Sequence, residues 1–447
     1  MAYLPPSVIV QGERGLQGTT GFVIPSTVCI VGRMDNYPSR TTSRVLANGT
    51  TVVIDAPNVL PDTIKLTAYD GTVLKKGTDY DQSVDADGGT FSVTIKKEGM
   101  KTQSVLIAYD YLPERFFEPC KWFTKSSVAD FYGPAFDEDD LVSCPLSAAA
   151  KYAFDNGATS VCVVPVIDGK GSSGPSAPKN PKQTLDEALE KLKIQQDIAI
   201  VVPVNLDAEE LVLVREHIDW CNANAMERRG IFGVDGTATD YSVDDLLAVQ
   251  RSLDSDAVMF TPNTIAPVYS TKSRTAVMLP GWLYAAAMAG VAIALPLYRS
   301  LTRQQLLGFY GVQGWLVEER NVLAQGGGCG IEMSNGTIRV RHALTTLQSR
   351  LLDWSYRGVY NYLFLSMRHL FDPYSGKPSG NVVIAQINAS ADAFLSRQVE
   401  SGMIYNYSDL EVARRAGAPN TVDVSFRYAW LAPLDYIYVN FTVDMEY

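Results

Sequence analysis

The 447-residue sequence has few of the residues on which catalysis and metal binding usually depend. It holds three histidines (His217, His342 and His369), and its six cysteines never form a C-x-x-C pair. A zinc site and a dense disulfide framework are therefore not indicated, and the cysteines favour folding in a reduced, cytosolic compartment. No basic run followed by an apolar run stands at the N-terminal end, so no signal peptide is expected.

Positive charge is also scarce. The sequence has 38 Lys and Arg against 49 Asp and Glu, a formal net charge of −11, and the basic residues form no run. Nucleic acid is therefore not expected as a ligand, because phosphate binding needs a basic surface. A hydrophobic fraction of 46% with 19% charged residues is ordinary for a globular chain of two to four domains.

Motifs for nucleotide binding and nucleophilic catalysis are missing too. No G-x-G-x-x-G follows a predicted strand, and neither a P-loop nor a G-x-S-x-G elbow occurs. The glycine-rich stretch Gly169–Gly174 is followed by prolines and is typical of a linker. His217 is predicted to lie on the surface of an amphipathic helix, and residues 137–140 to form a solvated acidic loop capping a helix near Leu146. No catalytic, cofactor-binding or metal-binding residue is predicted.

One long apolar run is present, and it is too short to span a membrane. Between Pro280 and Pro296 about fifteen residues can be helical, or about 22 Å, whereas the hydrocarbon core of a bilayer is about 30 Å thick. We therefore expect a buried helix and no membrane insertion. Its alanines and Gly290 would let another element approach closely.

Past Pro119, apolar runs alternate with amphipathic stretches. The apolar runs are 160–167, 197–204, 230–234 and 256–260, and the amphipathic stretches are 184–196, 208–225 and 243–253. Alternation of strand and helix predicts a doubly wound, largely parallel sheet. We place this α/β core at 117–345, after an N-terminal arm and first core strand at 1–32.

The stretch before the core is rich in predicted strands only. Runs at 51–54, 63–69, 90–95 and 104–111 are separated by Asp-Gly and Lys-Gly turns. We expect an inserted β-sandwich or barrel domain at 33–116. Four aspartates between Asp79 and Asp87 lack the glycine and closing glutamate of a calcium loop, so hairpin turns are the preferred interpretation.

The last stretch, from Asn420 to Tyr447, has two period-2 alternations separated by Ala432-Pro433. The second places Ile437, Val439, Phe441 and Val443 on one side of a strand without a downstream partner. At the other end, Val8, Ile9 and Val10 form a short apolar strand after a proline pair. We predict that these two arms pair with other copies of the chain by strand exchange. The C-terminal α+β domain at 346–447 carries the second arm.

The region from Gly308 to Gly402 resembles a known family in the order of its motifs. The order is Gly308-Phe-Tyr-Gly-Val312, Glu319-Arg-Asn-Val-Leu323, Gly330-Ile331, Ile338-Arg-Val-Arg-His342, Ala343-Leu-Thr-Thr346, a long helix through Arg357-Gly-Val-Tyr-Asn-Tyr-Leu363 and a helix near 391–402. With the strands of 420–443, this resembles the C-terminal half of contractile-tail sheath proteins of phages and phage-derived injection devices. The proline-rich arm, the β-rich insertion and the α/β core extend the resemblance over nearly the whole chain.

This resemblance implies a mechanical function without catalysis. Sheath subunits stack as hexameric rings around a tail tube and contract to drive the tube through a bacterial envelope. The implied partners are further copies of the chain, the tail tube protein, and baseplate and tail terminator proteins, in a virion assembled in the host cytoplasm. Four arginines on the predicted C-terminal helices are candidates for contacts with an acidic tube, although solvated helix faces are the commoner role for such residues: Arg350, Arg357, Arg368 and Arg397.

Two other classes of protein fit parts of the sequence. A tail-tube or other polymerising virion structural protein would also assemble, but it is usually smaller and mostly β. A hydrolase-like enzyme on a doubly wound sheet would fit the α/β core, and it would be a monomer with saturable binding of a small molecule.

Overall fold

A computed structural model describes residues 25–34, 41–47, 49–55, 59–60, 63–84, 90–100, 103–168 and 183–434. These residues form several sheets and helices, so the mixed α/β class predicted from the sequence is confirmed. All six cysteines lie in the described part of the chain, and all six are buried and free.

The largest sheet has six strands and forms the centre of the core. The strands of this sheet and the helices between them are, in chain order, β1 (Thr27–Arg33), β9 (Cys120–Trp122), α1 (Lys125–Tyr132), α2 (Pro145–Asp155), β10 (Val161–Val166), α3 (Leu185–Leu192), β11 (Ile198–Val204), α4 (Ala208–Ala223), β12 (Arg229–Phe232), α5 (Val243–Leu253) and β13 (Val258–Phe260). The spatial order is β13-β12-β11-β1-β10-β9. Every pairing is parallel except β9 with β10.

Helices cover both faces of this sheet. Val28 and Ile30 of β1 point toward α2, and Cys29 and Val31 point toward the face covered by α3, α4 and α5. A parallel strand covered on both faces needs apolar residues at every position, and β1 is buried throughout. This explains why the core strands have continuous apolar runs instead of alternation.

Three of the core helices begin with a reciprocal capping box. The pairs are Thr184 with Glu187 in α3, Asp207 with Glu210 in α4, and Ser242 with Asp245 in α5. In each, the first side chain accepts a hydrogen bond from the backbone N–H of the second residue, and the second accepts from the backbone of the first. Because each helix follows a parallel strand, all three boxes lie at the carboxyl edge of the sheet.

The inserted segment between β1 and β9 is all β. Its strands are β2 (Thr41–Ala47), β3 (Thr51–Asp55), β4 (Lys65–Ala68), β5 (Val73–Leu74), β6 (Tyr80–Val84), β7 (Thr90–Ile95) and β8 (Val105–Tyr111). They form two antiparallel sheets, of order β2-β8-β4-β5 and β3-β7-β6, and both contribute to one hydrophobic cluster around Leu66, Phe91 and Ile107.

The apolar run predicted to be a buried helix is α6 (Trp282–Ala294), and it is buried along most of its length. It packs on α2 so closely that a Cβ added to Gly290 would lie 2.2 Å from the backbone oxygen of Ala153. The close approach expected at Gly290 is therefore present. No helix among the described residues is both long and apolar enough to cross a membrane.

The remaining elements lie around α6 and at the C-terminal side. They are β14 (Ile265–Tyr269), β15 (Ala276–Pro280), α7 (Val317–Gln325), β16 (Ile331–Ser334), β17 (Thr337–Val340), α8 (Trp354–Phe371), α9 (Asn381–Glu400), β18 (Ile404–Arg414) and β19 (Val422–Trp430). Helix α9 begins ten residues before the predicted start near Ala391. Strands β14 with β15, β16 with β17, and β18 with β19 form three antiparallel pairs.

Candidate assembly interface

The C-terminal part of the described chain consists of two helices covered by one β-hairpin. Hairpin β18–β19 packs on α8 and α9 through a cluster that includes Leu363, Leu395 and Ile404. From Val422 to Arg427, half-buried apolar residues alternate with exposed polar ones, as the period-2 sequence predicts. The strand ends at Trp430, whose ring lies edge-on to Tyr356 with 5.6 Å between the ring centroids.

This hairpin has backbone edges that can accept another strand. Within the described residues, β18 and β19 pair only with each other, from Ile404 opposite Trp430 to Arg414 opposite Val422. Both register shifts place the extra residues in β18, where Asp409 has a φ of 55°. Strand β19 is continuous, so its outer edge is the more regular one for backbone pairing.

The residues predicted to exchange between subunits lie outside the described residues. They are Val8, Ile9 and Val10 at one end, and Ile437, Val439, Phe441 and Val443 at the other. The described chain reaches Leu434, three residues before Ile437 and four after the end of β19. Strand exchange by these two arms therefore stays a prediction.

The structure corrects the prediction for two of the four candidate tube-facing arginines. Arg357 is buried, and its guanidinium donates to Asp256 over 3.1 Å and to the Asn361 side chain over 2.8 Å. Arg368 is half-buried and pairs with Glu227, whose side chain is fully buried. Neither guanidinium is on an open helix face, because both hold α8 against the core.

The other two arginines are exposed. Arg397 lies on the outer side of α9, whereas Arg350 lies in the loop before α8 and not on a helix as expected. The Arg350 guanidinium lies 5.6 Å from the centre of the Tyr356 ring, a cation–π distance. Their contact with a tube stays a prediction.

Helix α8 is further fixed to the core by a buried stack. The Arg229 guanidinium at the start of β12 lies 4.4 Å from the centre of the Trp354 ring. Burial, with Arg357 beside it, lowers the pKa of Arg229 to about 9. A Cβ on Gly358 would lie 2.9 Å from the Arg229 guanidinium, so only glycine allows this approach. The core and α8 therefore form one packed unit.

The carboxyl edge of the parallel sheet is where such folds usually hold a ligand. Here the space beside the end of β1 is filled by Arg33, whose guanidinium pairs with Asp168 at 2.9 Å and Glu210 at 2.5 Å. Burial alone would lower the pKa of Arg33, but the hydrogen bonds to Asp168 and Glu210 raise it. The site is thus closed by the chain's own ion pairs.

Around this closed site the surface is acidic. We define the acidic rim as the exposed carboxylates at the N-terminal ends of α3, α4 and α5: Asp186, Glu187, Asp207, Glu209, Asp240, Asp244 and Asp245. Hydrogen bonds from the side chain and backbone of Ser242 lower the pKa of Asp245. A phosphate or nucleotide would be repelled here by like charge, which counts against the enzyme alternative.

A group of arginines lies near the same edge, of which one is exposed and two are half-buried. Hairpin β16–β17 lies just beyond β13, where the Ile331 N–H donates to the Asn263 side chain over 2.7 Å. Three arginines converge on one carboxylate there, and we call them with it the arginine cluster: Arg303, Arg339, Arg341 and Glu332. The sequence analysis missed this group, although the spacing of Arg339 and Arg341 places both on one side of a strand.

Two smaller predictions are also corrected. His217 is buried, not on the surface, and its Nε2 accepts a hydrogen bond of 2.8 Å from Arg228. Burial and the neighbouring Arg228 lower the pKa of His217 to about 3. The acidic loop 137–140 does not cap α2, whose N-cap is Cys144, because Asp137 accepts from its own loop and Asp140 accepts from Ser270.

The described residues contain no group of three or more side chains arranged to hold a metal ion. A small recess beside α7 is lined by Trp315, Arg320, Arg341 and His342 among others. Its size leaves no room for a substrate-sized ligand. The candidate functional features are therefore surfaces: the hairpin edge, the arginine cluster and the acidic rim.

The comparisons with known proteins agree with an assembly function. No family profile matches the sequence. A tail sheath protein of Mycobacterium phage Bxz1 is 27% identical over 349 residues, which cover 76% of this chain and 59% of that protein. The chain is thus similar in sequence to a phage tail sheath protein. The resemblance predicted from the motif order is confirmed, and the match spans less than two thirds of that relative's length.

Chains of three solved assemblies share the fold. A chain in the cryo-EM structure of the anti-feeding prophage baseplate superposes with a TM-score of 0.56 at 15% identity, covering 75% of this chain and 90% of that one. The sheath complex of the PVC extracellular contractile injection system, in its contracted state, gives 0.55 at 12% identity, with 73% and 87% covered. The helical sheath of the anti-feeding prophage in its contracted state gives 0.54 at 15% identity, with 74% and 90% covered.

Proposed function

We propose that this chain is a structural subunit of a contractile sheath. Copies stack as hexameric rings around a tail tube, and re-packing of the rings into a shorter lattice drives the tube through a bacterial envelope. The similarity to a phage tail sheath protein supports this function. The observation that carries it is hairpin β18–β19, a two-stranded sheet with a regular edge just before the predicted terminal strand.

Strand exchange supplies the connection between subunits in this proposal. The arm with Ile437, Val439, Phe441 and Val443, or the arm with Val8, Ile9 and Val10, adds to the hairpin of another copy by backbone hydrogen bonds. About five such bonds at roughly 1 kcal/mol net each give a few kcal/mol per junction. Because one lattice holds many junctions, a modest energy at each one resists separation of the whole.

The proposed organisation follows the chain order. An arm and first strand (1–32) lead into an inserted β-sandwich or barrel (33–116), a doubly wound core (117–345) and a C-terminal α+β domain with the exchanged strand (346–447). The partners are other copies, the tail tube protein, the baseplate and the tail terminator. The assembled protein is a virion component, put together in the host cytoplasm, and it requires no cofactor, nucleic acid or membrane insertion.

Deletion of residues 436–447 tests the function. The hydrophobic cluster under the hairpin uses residues up to Trp430, so the truncated chain keeps its core. We expect the full-length chain to form striated tubes with a wide bore in negative-stain electron microscopy, and the truncated chain to remain unassembled. Tubes from the truncated chain would contradict strand exchange.

A pair of point variants separates backbone pairing from side-chain packing. Val439→Pro removes a backbone N–H from the predicted strand, whereas Val439→Ala removes only side-chain atoms. We expect the proline variant to behave like the deletion and the alanine variant to assemble at a moderately higher concentration. Equal assembly of both variants, measured by light scattering, would show that this strand does not pair.

A further inference from the structure

The arginine cluster has more positive charge than its own chain neutralises. Arg303 and Arg339 pair with one Glu332 oxygen, the latter at 3.2 Å, and Arg341 lies 3.9 Å from the other. Three positive charges thus surround one negative charge. The Arg303 side chain is 57% exposed, and Met333 beside the cluster is 49% exposed. Exposed arginine next to exposed methionine is a composition enriched at protein interfaces.

The acidic rim has the opposite imbalance. Its seven carboxylates are exposed, and none of them forms a salt bridge within the described part of the chain. The residues 183–190, 205–210 and 234–247 that carry the rim include no lysine or arginine. Within the described residues, the rim therefore has negative charge that no basic side chain neutralises by a salt bridge.

The two surfaces lie at the same edge of the sheet, where the rim extends across several strands and the arginine cluster stands at one end. The rim follows β10, β11 and β12, whereas the arginine cluster lies beyond β13, the last strand at that end. Patches of opposite sign on one chain are complementary to each other between two copies. Where each copy uses its arginine cluster on one neighbour and its acidic rim on another, the contact is head-to-tail and generates rings or helical lattices.

We propose that the arginine cluster of one copy docks on the acidic rim of the next copy. This contact rests on the proposed sheath function and adds a second junction, separate from the terminal strands. The charges steer the approach and fix the register of neighbouring subunits, because a misplaced subunit would bring like charges together. The occupant of both surfaces is a further copy of this chain.

Charge reversal tests the contact. Arg303→Glu with Arg341→Glu reverses the cluster while leaving Arg339 to pair with Glu332. Asp186→Lys, Glu209→Lys, Asp240→Lys and Asp244→Lys together reverse the sign of the rim without touching the residues of a capping box. We expect each reversal alone to raise the concentration needed for polymerisation at least tenfold, measured by light scattering and electron microscopy. The six substitutions together restore complementarity, so this combined variant is expected to polymerise within about threefold of the wild-type concentration.

A matched control changes the same charge elsewhere. Arg251→Glu with Arg274→Glu alters two exposed arginines outside both surfaces. This variant is expected to leave the threshold, which is the concentration needed for polymerisation, unchanged. Thermal unfolding of each variant checks that the fold is kept. The wild-type threshold should also rise between 0.05 and 0.5 M NaCl, about a threefold decrease in Debye length.

The outcomes distinguish this contact from the proposed function. Wild-type polymerisation with unchanged thresholds in both reversed variants would overturn the docking and leave the sheath function intact. Failure of the combined variant to recover, while each single reversal blocks assembly, would also overturn it. If the reversed cluster affects only binding of tube protein, the occupant is the tube. A wild-type chain that never polymerises, with or without tube protein, would overturn both.

Discussion

At the scale of single residues, charge in the sequence did not reveal which side chains reach the surface. Arg357 and Arg368 follow a helical spacing that is compatible with an exposed face. Their partners, Asp256 and Glu227, are 101 and 141 residues away in the sequence, so no local pattern indicates the pairing. An arginine becomes buried when a carboxylate from another element neutralises it, and only the tertiary fold supplies that carboxylate.

His217 shows the same dependence on distant contacts. Its helix is amphipathic, and Asp219 nearby made a solvated position the simplest interpretation. The Arg228 guanidinium can only donate hydrogen bonds, so the imidazole nitrogen that accepts from it, Nε2, carries no proton. His217 is buried, with 4% of the residue exposed. A neutral, buried imidazole is therefore part of the core and not a base.

This histidine predicts a pH dependence of stability. The pKa is about 3 in the folded state and about 6.5 in the unfolded chain, so below pH 6.5 the unfolded chain binds the proton that the folded state excludes. The free energy of unfolding should therefore fall as pH decreases from 6.5 toward 3, by at most about 1.4 kcal/mol per pH unit from this group. Urea unfolding at pH 7 and pH 5 measures the change.

His217→Gln is the matched variant, because a glutamine oxygen can accept from Arg228 and does not titrate. The variant is expected to lose less stability than the wild type between pH 7 and pH 5. The same loss in both proteins would assign the pH dependence to other groups. Restricting the range to pH 5 and above keeps most carboxylates ionised in both states.

At the scale of elements, hydrophobic periodicity predicted the helices and strands correctly where the sequence pattern is clear. Helix α5 spans the predicted 243–253, and the continuous apolar runs are the buried parallel strands. The start of α9 was missed because Val382, Val383 and Ile384 are β-branched, which lowers helix propensity locally. Packing of later residues, such as Leu395, on α8 decides the helix there.

Close packing of α2 on α6 depends on one small residue, which gives a prediction. Gly290→Ala would gain about 1 kcal/mol from helix propensity, but its Cβ would lie within 2.2 Å of the Ala153 backbone oxygen. A backbone carbonyl in a helix cannot move aside, so we expect the overpacking cost, typically 1–3 kcal/mol, to exceed the gain in helix propensity. We expect a net loss of about 1 kcal/mol or more in the free energy of unfolding, measured with urea.

The control for this variant is Gly99→Ala, where the added Cβ meets no atom within 4 Å. It is expected to be neutral or slightly stabilising. A Gly290→Ala protein as stable as the wild type would mean that α2 and α6 can separate slightly without loss, and that their packing does not require a glycine at this position.

At the scale of the whole molecule, the sequence showed the order of the parts better than their interfaces. The arginine cluster combines Arg303 with Glu332 and Arg341 from hairpin β16–β17, and the acidic rim combines three helices. Each residue is unremarkable in its own segment. The order of the strands in the sheet brings them to one edge, and that order is a long-range property.

The attachment of the inserted β segment to the core predicts that the rest of the protein folds without it. Thr41 of β2 and Tyr111 of β8 are directly opposite in antiparallel register, so the segment leaves and rejoins the chain at neighbouring points. Opposite Cα atoms in such a pair are about 5 Å apart, which a short linker can span. The segment also has its own hydrophobic cluster, whose members all come from residues 45–111.

Replacing residues 41–111 by a four-residue Gly/Ser linker should therefore leave the rest of the protein folded. Leu60 is the one excised residue that contributes to the core cluster, so a cost of about 1.5–3 kcal/mol is expected from its loss. Polymerisation should persist, because hairpin β18–β19, the arginine cluster and the acidic rim all lie outside the excised range. Circular dichroism and electron microscopy measure both results. A folded variant that no longer polymerises would place an essential subunit contact on the inserted segment, and an unfolded one would show that the core depends on it.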